Sequence, residues 1–195
     1  MIELHLIRHG KTAANEQGLY CGQTDLPLSQ GGRAEIALLK SQGLYPLLPD
    51  LFFSSGLTRA EQTIDFIYGG VHRKVVPDIA EYHFGEFEMN SYEELKSRED
   101  YLLWITDETG TVPCPGGESK KQFEKRVIAG YHHIIREVHL SEYSSAFVVC
   151  HGGTIACLME YIQPSARGFY EWQPAPGRGY TLVYAGGQLQ ELRNL

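Results

Sequence analysis

The stretch Ile2-Glu3-Leu4-His5-Leu6-Ile7-Arg8-His9-Gly10 decides the fold. It begins by alternating and then turns wholly apolar, the pattern of a strand running into a buried sheet, and it stops at Arg8-His9-Gly10. A second stretch repeats the layout. Ala146-Phe147-Val148-Val149-Cys150 is the most apolar segment of the chain and ends in His151-Gly152-Gly153. Two buried strands that each deliver a histidine and a glycine place both histidines at strand carboxyl ends, where the active groups of α/β sheets collect.

Between and beyond these strands the pattern alternates. Leu28-Ser29-Gln30 opens a helix with Ala34, Ala37 and Leu38 on one face and Gly43 as its stop. Leu51-Phe52-Phe53-Ser54 is a second strand. Thr58 to Tyr68 is a helix with Ala60, Ile64 and Ile67 inward, and Lys74-Val75-Val76 is a short strand closed by Pro77. Ser119 to Val138 carries Phe123, Val127, Tyr131, Ile134 and Val138 at helical spacing. A helix follows His151 through Ile162, and the strands 180–184 and 188–192 meet around Gly186-Gly187. Strands alternating with helices predict an α/β layered fold with a mostly parallel sheet. Residues 78–117 differ: they are rich in aromatic and acidic residues, and Ser91-Tyr92-Glu93-Glu94 has the form of a capping box.

At 195 residues the chain has the length of one domain and buries enough surface for a core without disulfide or metal staples. The domain expectation is a single unit over 1–195 with a small helical and loop insertion at about 78–117. A net charge of −7 has the wrong sign for a general nucleic-acid binder, so an anion would have to be held by a local basic cluster. No stretch approaches a membrane span, the N-terminus lacks the features of a signal peptide, and the four cysteines form no C-x-x-C pair. A reduced, cytoplasmic protein is expected.

Arg8-His9-Gly10-Lys11-Thr12 is the strongest local signal. A histidine acts as a nucleophile when one ring nitrogen is held and the other faces the substrate. The neighbouring glycine admits close backbone approach, and arginine makes bidentate contacts to phosphate oxygens. Alone the tripeptide is weak, but His151, Arg59, Asn15 and Glu81 accompany it. His9 and His151 as zinc ligands would lack a third ligand at sensible spacing. The other histidines (His5, His72, His83, His132, His133 and His139) read as structural or solvated.

"LIRHGKTAAN" at 6–15, "SSGLTRAEQT" at 54–63, "EYHFGEFE" at 81–88, "PGGES" at 115–119 and "VVCHGGTI" at 148–155 together resemble the histidine phosphatase superfamily, the phosphoglycerate mutase-like clan. The likeness runs over essentially the whole chain, with the motifs in the family's order. It implies a three-layer sandwich with helices on both faces of a mostly parallel central sheet. It also implies the roles. His9 attacks phosphorus and becomes a phosphohistidine. Arg8, Arg59 and His151 surround the phosphoryl oxygens, and Asn15 adds a hydrogen bond. Glu81 gives a proton to the leaving oxygen and then activates water. Cys21, Gly22 and Gly152 line the substrate side. The scheme needs no metal and no cofactor, because arginine and histidine neutralise the transferring charge.

Within the superfamily, "GLYCGQTDLPLS" at 18–29 and "FGEFEM" at 84–89 resemble the α-ribazole phosphatases, while "PGGES" and "VVCHGG" also resemble fructose-2,6-bisphosphatase. A phosphorylated small molecule is the expected partner, with neither nucleic acid nor membrane. An α-ribazole base would want an aromatic wall, for which Tyr20, Phe87, Tyr92 and Trp104 are the candidates. A broad sugar-phosphate or phosphoglycerate phosphatase is the alternative. The arginine pair with which mutases hold a carboxylate has no evident counterpart in 87–117, which argues against a mutase. A non-catalytic phospho-ligand binding protein is opposed by the joint presence of Arg8, His9, Arg59, Glu81 and His151. Gly56, where an acidic residue is common, is expected to loosen Arg59, and Met89-Asn90 stands where a small glycine is often found.

Overall fold

The computed structural model describes residues 1–164 and 167–195. The strands β1 (Ile2–Arg8), β2 (Leu51–Ser54), β3 (Lys74–Val75), β4 (Ser145–Cys150), β5 (Gly179–Ala185) and β6 (Gln188–Asn194) form one six-stranded sheet of order β3-β2-β4-β1-β5-β6. The first four run parallel to one another, and β5 is antiparallel to both β1 and β6. The sheet is therefore mostly parallel, as the sequence pattern predicts.

Period-two alternation sorts the strand residues onto two faces. Leu4 and Leu6 of β1, Phe53 of β2, and Ala146, Val148 and Cys150 of β4 pack into one apolar cluster. Ile7, Phe52, Phe147 and Val149 pack into the other. The helices α2 (Gln30–Ser41) and α3 (Thr58–Tyr68) cover the second face through Ile36, Leu39, Ala60, Ile64 and Ile67. The helices α6 (Lys120–Leu140) and α7 (Gly152–Ile162) cover the first, where Phe123, Val127, Ile134, Val138, Ile155 and Leu158 are buried. Three layers result. Each fully buried side chain of the size of Phe147 stabilises this arrangement by about 1.5–3 kcal/mol.

The inward face of α2 is not the expected one. Gly32, Ile36 and Leu39 are buried, while Ala34, Ala37 and Leu38 are exposed. Both triplets fit a helical period, and the larger burial of Ile36 and Leu39 against β1 and β4 decides between them. The caps agree with the reading: Ser29 accepts from Gly32 N–H at 2.9 Å, and Ser119 and Ser91 form capping boxes with Gln122 and Glu94. The one-turn helix α1 (Ala13–Gln17), capped by Thr12, has no apolar repeat to betray it.

Residues 78–117 form two 3-10 turns and the short helices α4 (Tyr92–Leu95) and α5 (Glu99–Ile105). An aromatic cluster holds them to the sheet: Tyr82, Phe84, Phe87 and Tyr101 all pack around Trp104, whose Nε1–H donates to Tyr82 Oη at 2.9 Å. Among the described residues, no helix is long and apolar enough to cross a membrane.

Candidate active site

The register of the two central strands builds the site. Arg8 pairs with Cys150, and His9 N–H donates to Cys150 C=O at 3.0 Å, so His9 and His151 leave adjacent strands side by side. Their rings meet edge to face with centroids 5.0 Å apart, and both are almost wholly buried. His9 Nδ1 donates to the Gly10 carbonyl at 2.7 Å, which leaves Nε2 as the unprotonated nitrogen. His151 accepts at Nδ1 from Arg59 and donates from Nε2 to Ser55 Oγ at 2.8 Å.

Arg59, at the start of α3, is 1% exposed, and all its nitrogens are engaged. Nη1 donates to Thr24 C=O at 2.9 Å and Nη2 to Gly22 C=O at 2.6 Å. Nε reaches His9 Nε2 at 3.2 Å and His151 Nδ1 at 3.3 Å. These two carbonyls hold the guanidinium from a loop remote in sequence from Gly56. The carbonyls belong to a loop that is itself anchored: Glu88 accepts from Gln23 N–H at 2.7 Å, from Thr24 N–H at 2.6 Å and from Thr24 Oγ–H. A Cβ on Gly22 would lie 1.7 Å from the Tyr82 carbonyl oxygen, so only glycine lets this loop lie flush on residue 82. Asp25, farther along the loop, caps α3 by accepting from both Thr58 N–H and Thr58 Oγ–H at 2.7 Å.

Electrostatics follow from this packing. Burial pushes His9 well below the ordinary imidazole pKa, and the Arg59 and Arg8 charges push it further, against the pull of the Gly10 hydrogen bond. Burial lowers His151 in the same way, helped by Arg59, by His9 and by Arg8. Both rings are thus neutral near pH 7, and His9 keeps a lone pair on Nε2.

A cavity of about 700 Å³ opens above His9. Arg8, Asn15, Cys21, Glu81 and Gly152 line it with His9, whereas Arg59, His151 and Gly22 do not. Arg59 and His151 sit behind His9 as its buried support. Arg8 Nη1 donates to Pro174 C=O at 2.9 Å, while Nε is a buried donor with no protein acceptor among the described residues. Asn15 Oδ1 is committed to Thr12 N–H at 3.0 Å, which leaves its Nδ2 to donate to a ligand.

Glu81 faces the cavity from the opposite wall. Its Oε1 accepts from Tyr82 N–H and its Oε2 from Gly153 N–H, each at 2.9 Å. The second donor is one of the free N–H groups in the first turn of α7, the electropositive end of that helix. Beyond Glu81 the wall turns aromatic, with Tyr20, Phe84, Trp104, Phe169 and Tyr170, and acidic, with Glu124 and Glu160. Two of the expected wall residues are placed elsewhere: Phe87 is fully buried in the core under Trp104, and Tyr92 is exposed outside the cavity. Sequence reasoning missed Glu88, Ser55 and Arg126, which act on main chain or on other site residues. Among the described residues, no cluster of His, Cys, Asp and Glu is arranged to hold a metal ion.

A buried neutral histidine backed by arginines, with a carboxylate lining the same cavity at the carboxyl ends of a parallel sheet, is an arrangement suited to phosphoryl transfer. The model of the histidine phosphatase superfamily (branch 1) matches residues 4–193, and the chain belongs to that family of enzymes. The adenosylcobalamin/alpha-ribazole phosphatase of Escherichia coli is 31% identical over 166 residues, covering 81% of this chain and 77% of its own. The 2,3-bisphosphoglycerate-dependent phosphoglycerate mutase of Bradyrhizobium diazoefficiens is 30% identical over 188 residues, covering 89% and 87%. The crystal structure of the alpha-ribazole phosphatase from Shigella flexneri superposes with a TM-score of 0.84 at 28% identity, covering 100% of this chain and 96% of the other.

Proposed function

We propose that the protein is a metal-independent phosphomonoesterase that works through a phosphohistidine at His9 and acts on α-ribazole 5′-phosphate or a closely similar ester. One observation carries the chemistry: His9 is buried, neutral and locked by Gly10 into the tautomer whose unprotonated Nε2 lies against Arg59 at the cavity. The Nε2–phosphorus bond forms as the bond from phosphorus to the leaving oxygen breaks, and Glu81 in its protonated form supplies the proton that oxygen needs. Water then attacks the phosphohistidine while the Glu81 carboxylate takes its proton. Inorganic phosphate leaves, and both groups return to their starting states.

Arg8 stabilises the charge on the transferring oxygens from the cavity wall, with Asn15 as a neutral donor, each contributing up to a few kcal/mol in a dry site, while Arg59 supports His9 and His151 from behind. The wall beyond Glu81 supports the substrate assignment. A flat apolar base fits against Tyr20, Phe84 and Trp104, while Glu124 and Glu160 disfavour a leaving group that carries a second anion, as phosphoglycerate does. Similarity to the α-ribazole phosphatases points the same way. Lys120, the one lysine among the described residues that line the cavity, donates its Nζ to Asp107 C=O at 3.0 Å, so it is spent on the main chain.

The test is phosphate release in EDTA from α-ribazole 5′-phosphate, 3-phosphoglycerate, fructose 2,6-bisphosphate and p-nitrophenyl phosphate, with His9→Ala as control. A kcat/KM for α-ribazole 5′-phosphate about a hundredfold above the rest, or ~2.7 kcal/mol, is expected. A flat or sugar-led profile would retire that substrate, and undiminished turnover in His9→Ala would retire the phosphohistidine.

A further inference from the structure

The proton-transferring carboxylate sits on an irregular segment, residues 80–84, that belongs to neither a helix nor a strand. Something outside the segment must fix its backbone, because a carboxylate that drifts by an ångström loses most of its catalytic effect. The side chain of Glu81 is held by α7, through Gly153 N–H. Its backbone accepts from Gln23 Nε2–H at the Glu81 carbonyl, 2.8 Å, and from Thr154 Oγ1–H at the Ala80 carbonyl, 3.1 Å, but the residue that ties most of the segment together belongs to α6.

Arg126 gathers the segment with a single guanidinium. Nη1 donates to the carbonyls of Asp78 at 2.8 Å and Ala80 at 2.9 Å. Nη2 donates to the carbonyl of Glu81 itself at 3.2 Å and to Glu118 Oε1 at 2.6 Å. Nε reaches Glu118 Oε2 at 3.3 Å, completing a bidentate pair. Glu118 in turn accepts from His83 N–H at 2.8 Å, so the pair spans the segment on both sides of Glu81. One turn along α6, Gly130 removes the side chain that would keep the helix away: a Cβ there would lie 2.9 Å from Asp78 Cβ and 2.9 Å from Ile79 Cγ2. Neither Arg126 nor Glu118 lines the cavity.

We infer that Arg126, oriented by Glu118, is a positioning residue for proton transfer: it sets where Glu81 stands relative to the leaving oxygen and touches no substrate. Lysine cannot replace it, since one ammonium lacks the planar fork that reaches three carbonyls and a carboxylate together. The inference rests on the assignment of Glu81 as the acid, and its signature is a loss that depends on the leaving group. An alkyl phosphate needs a proton on its departing oxygen, whereas p-nitrophenolate leaves without one.

The experiment measures kcat/KM, which reports the step that phosphorylates His9, for an alkyl phosphate and for p-nitrophenyl phosphate. The proteins are the parent, Glu81→Gln, Arg126→Lys and Glu118→Gln, each with its melting temperature. Arg126→Lys is expected to lose about ten- to a hundredfold on the alkyl ester and about threefold or less on p-nitrophenyl phosphate. Glu118→Gln, which preserves the shape of the pair, is expected to show the same pattern more weakly and stands in if the arginine variant does not fold. Equal losses on the two esters, or no loss in either folded variant, would overturn the positioning role. If Glu81→Gln itself shows no dependence on the leaving group, the acid assignment fails instead.

Discussion

Substituting Gly153 by alanine separates catalysis from stability in one step. A methyl group there would stand 2.4 Å from Glu81 Oε1, where ordinary contact begins at 3.4 Å. The neighbour is the free end of a side chain, so the carboxylate retreats by about 1 Å and gives up its 2.9 Å hydrogen bond to Gly153 N–H. A displacement of that size costs about a hundredfold in rate when the displaced group transfers a proton. The fold does not suffer equally. Gly153 lies in α7 and has no positive φ, so alanine fits the backbone and gains about 1 kcal/mol of helix propensity. The lost hydrogen bond removes about 1 kcal/mol. The two nearly cancel, and the melting temperature stays within about 2–4 °C of the parent. Calorimetry and kcat/KM on an alkyl phosphate read the two quantities. A folded Gly153→Ala protein with more than half the parent activity would refute the claim that the α7 amide seats Glu81.

Two further outcomes concern stability. His9 and His151 both titrate below the ordinary histidine value, so the unfolded chain takes up protons there that the native chain refuses. Their contribution is complete above pH about 6.5 and declines as pH falls toward the native values, by at most about 1.4 kcal/mol per pH unit for each ring. Melting temperature therefore drops between pH 7 and 5.5, and His151→Gln flattens that drop; a parent protein with no change over this window would contradict the burial argument. Met89 is the one non-glycine residue with a positive φ, +59°, among those described. Met89→Gly relieves about 1 kcal/mol of left-handed strain and raises the melting temperature by about 2–4 °C, and a fall on calorimetry would show that the side chain matters more than the backbone.

The parts of this molecule that can be read from sequence are those whose side chains advertise their surroundings. The strands at Ile2–Arg8 and Ser145–Cys150 declare themselves through apolar runs, and α6 through the spacing of Phe123, Val127, Tyr131, Ile134 and Val138. The histidines, Arg59 and Glu81 stand in motifs whose chemistry needs those residue types. What is not legible works through the backbone. Arg59 is set by the carbonyls of Gly22 and Thr24, which every residue carries, and Glu88 and Arg126 act on main-chain groups that leave no mark on the sequence. The wall assignment of Phe87 failed for a related reason: an aromatic residue in a segment near the cavity fits the core as well as the wall, and only the packing under Trp104 distinguishes them.

The strand order also sets a schedule for synthesis. β1 emerges from the ribosome first, yet both its neighbours, β4 and β5, lie beyond residue 144, and β2 waits for β4 as well. The early strands have no sheet partners of their own except the two-residue β3 until the last quarter of the chain arrives. Closure of the sheet therefore depends on distant pairings that form slowly, and a nascent chain halted before Ser145 carries Leu4, Leu6, Phe52 and Phe53 without their cover. The strand that bridges β1 and β2 is also the one that delivers His151, so the two histidines meet only once those early strands are joined.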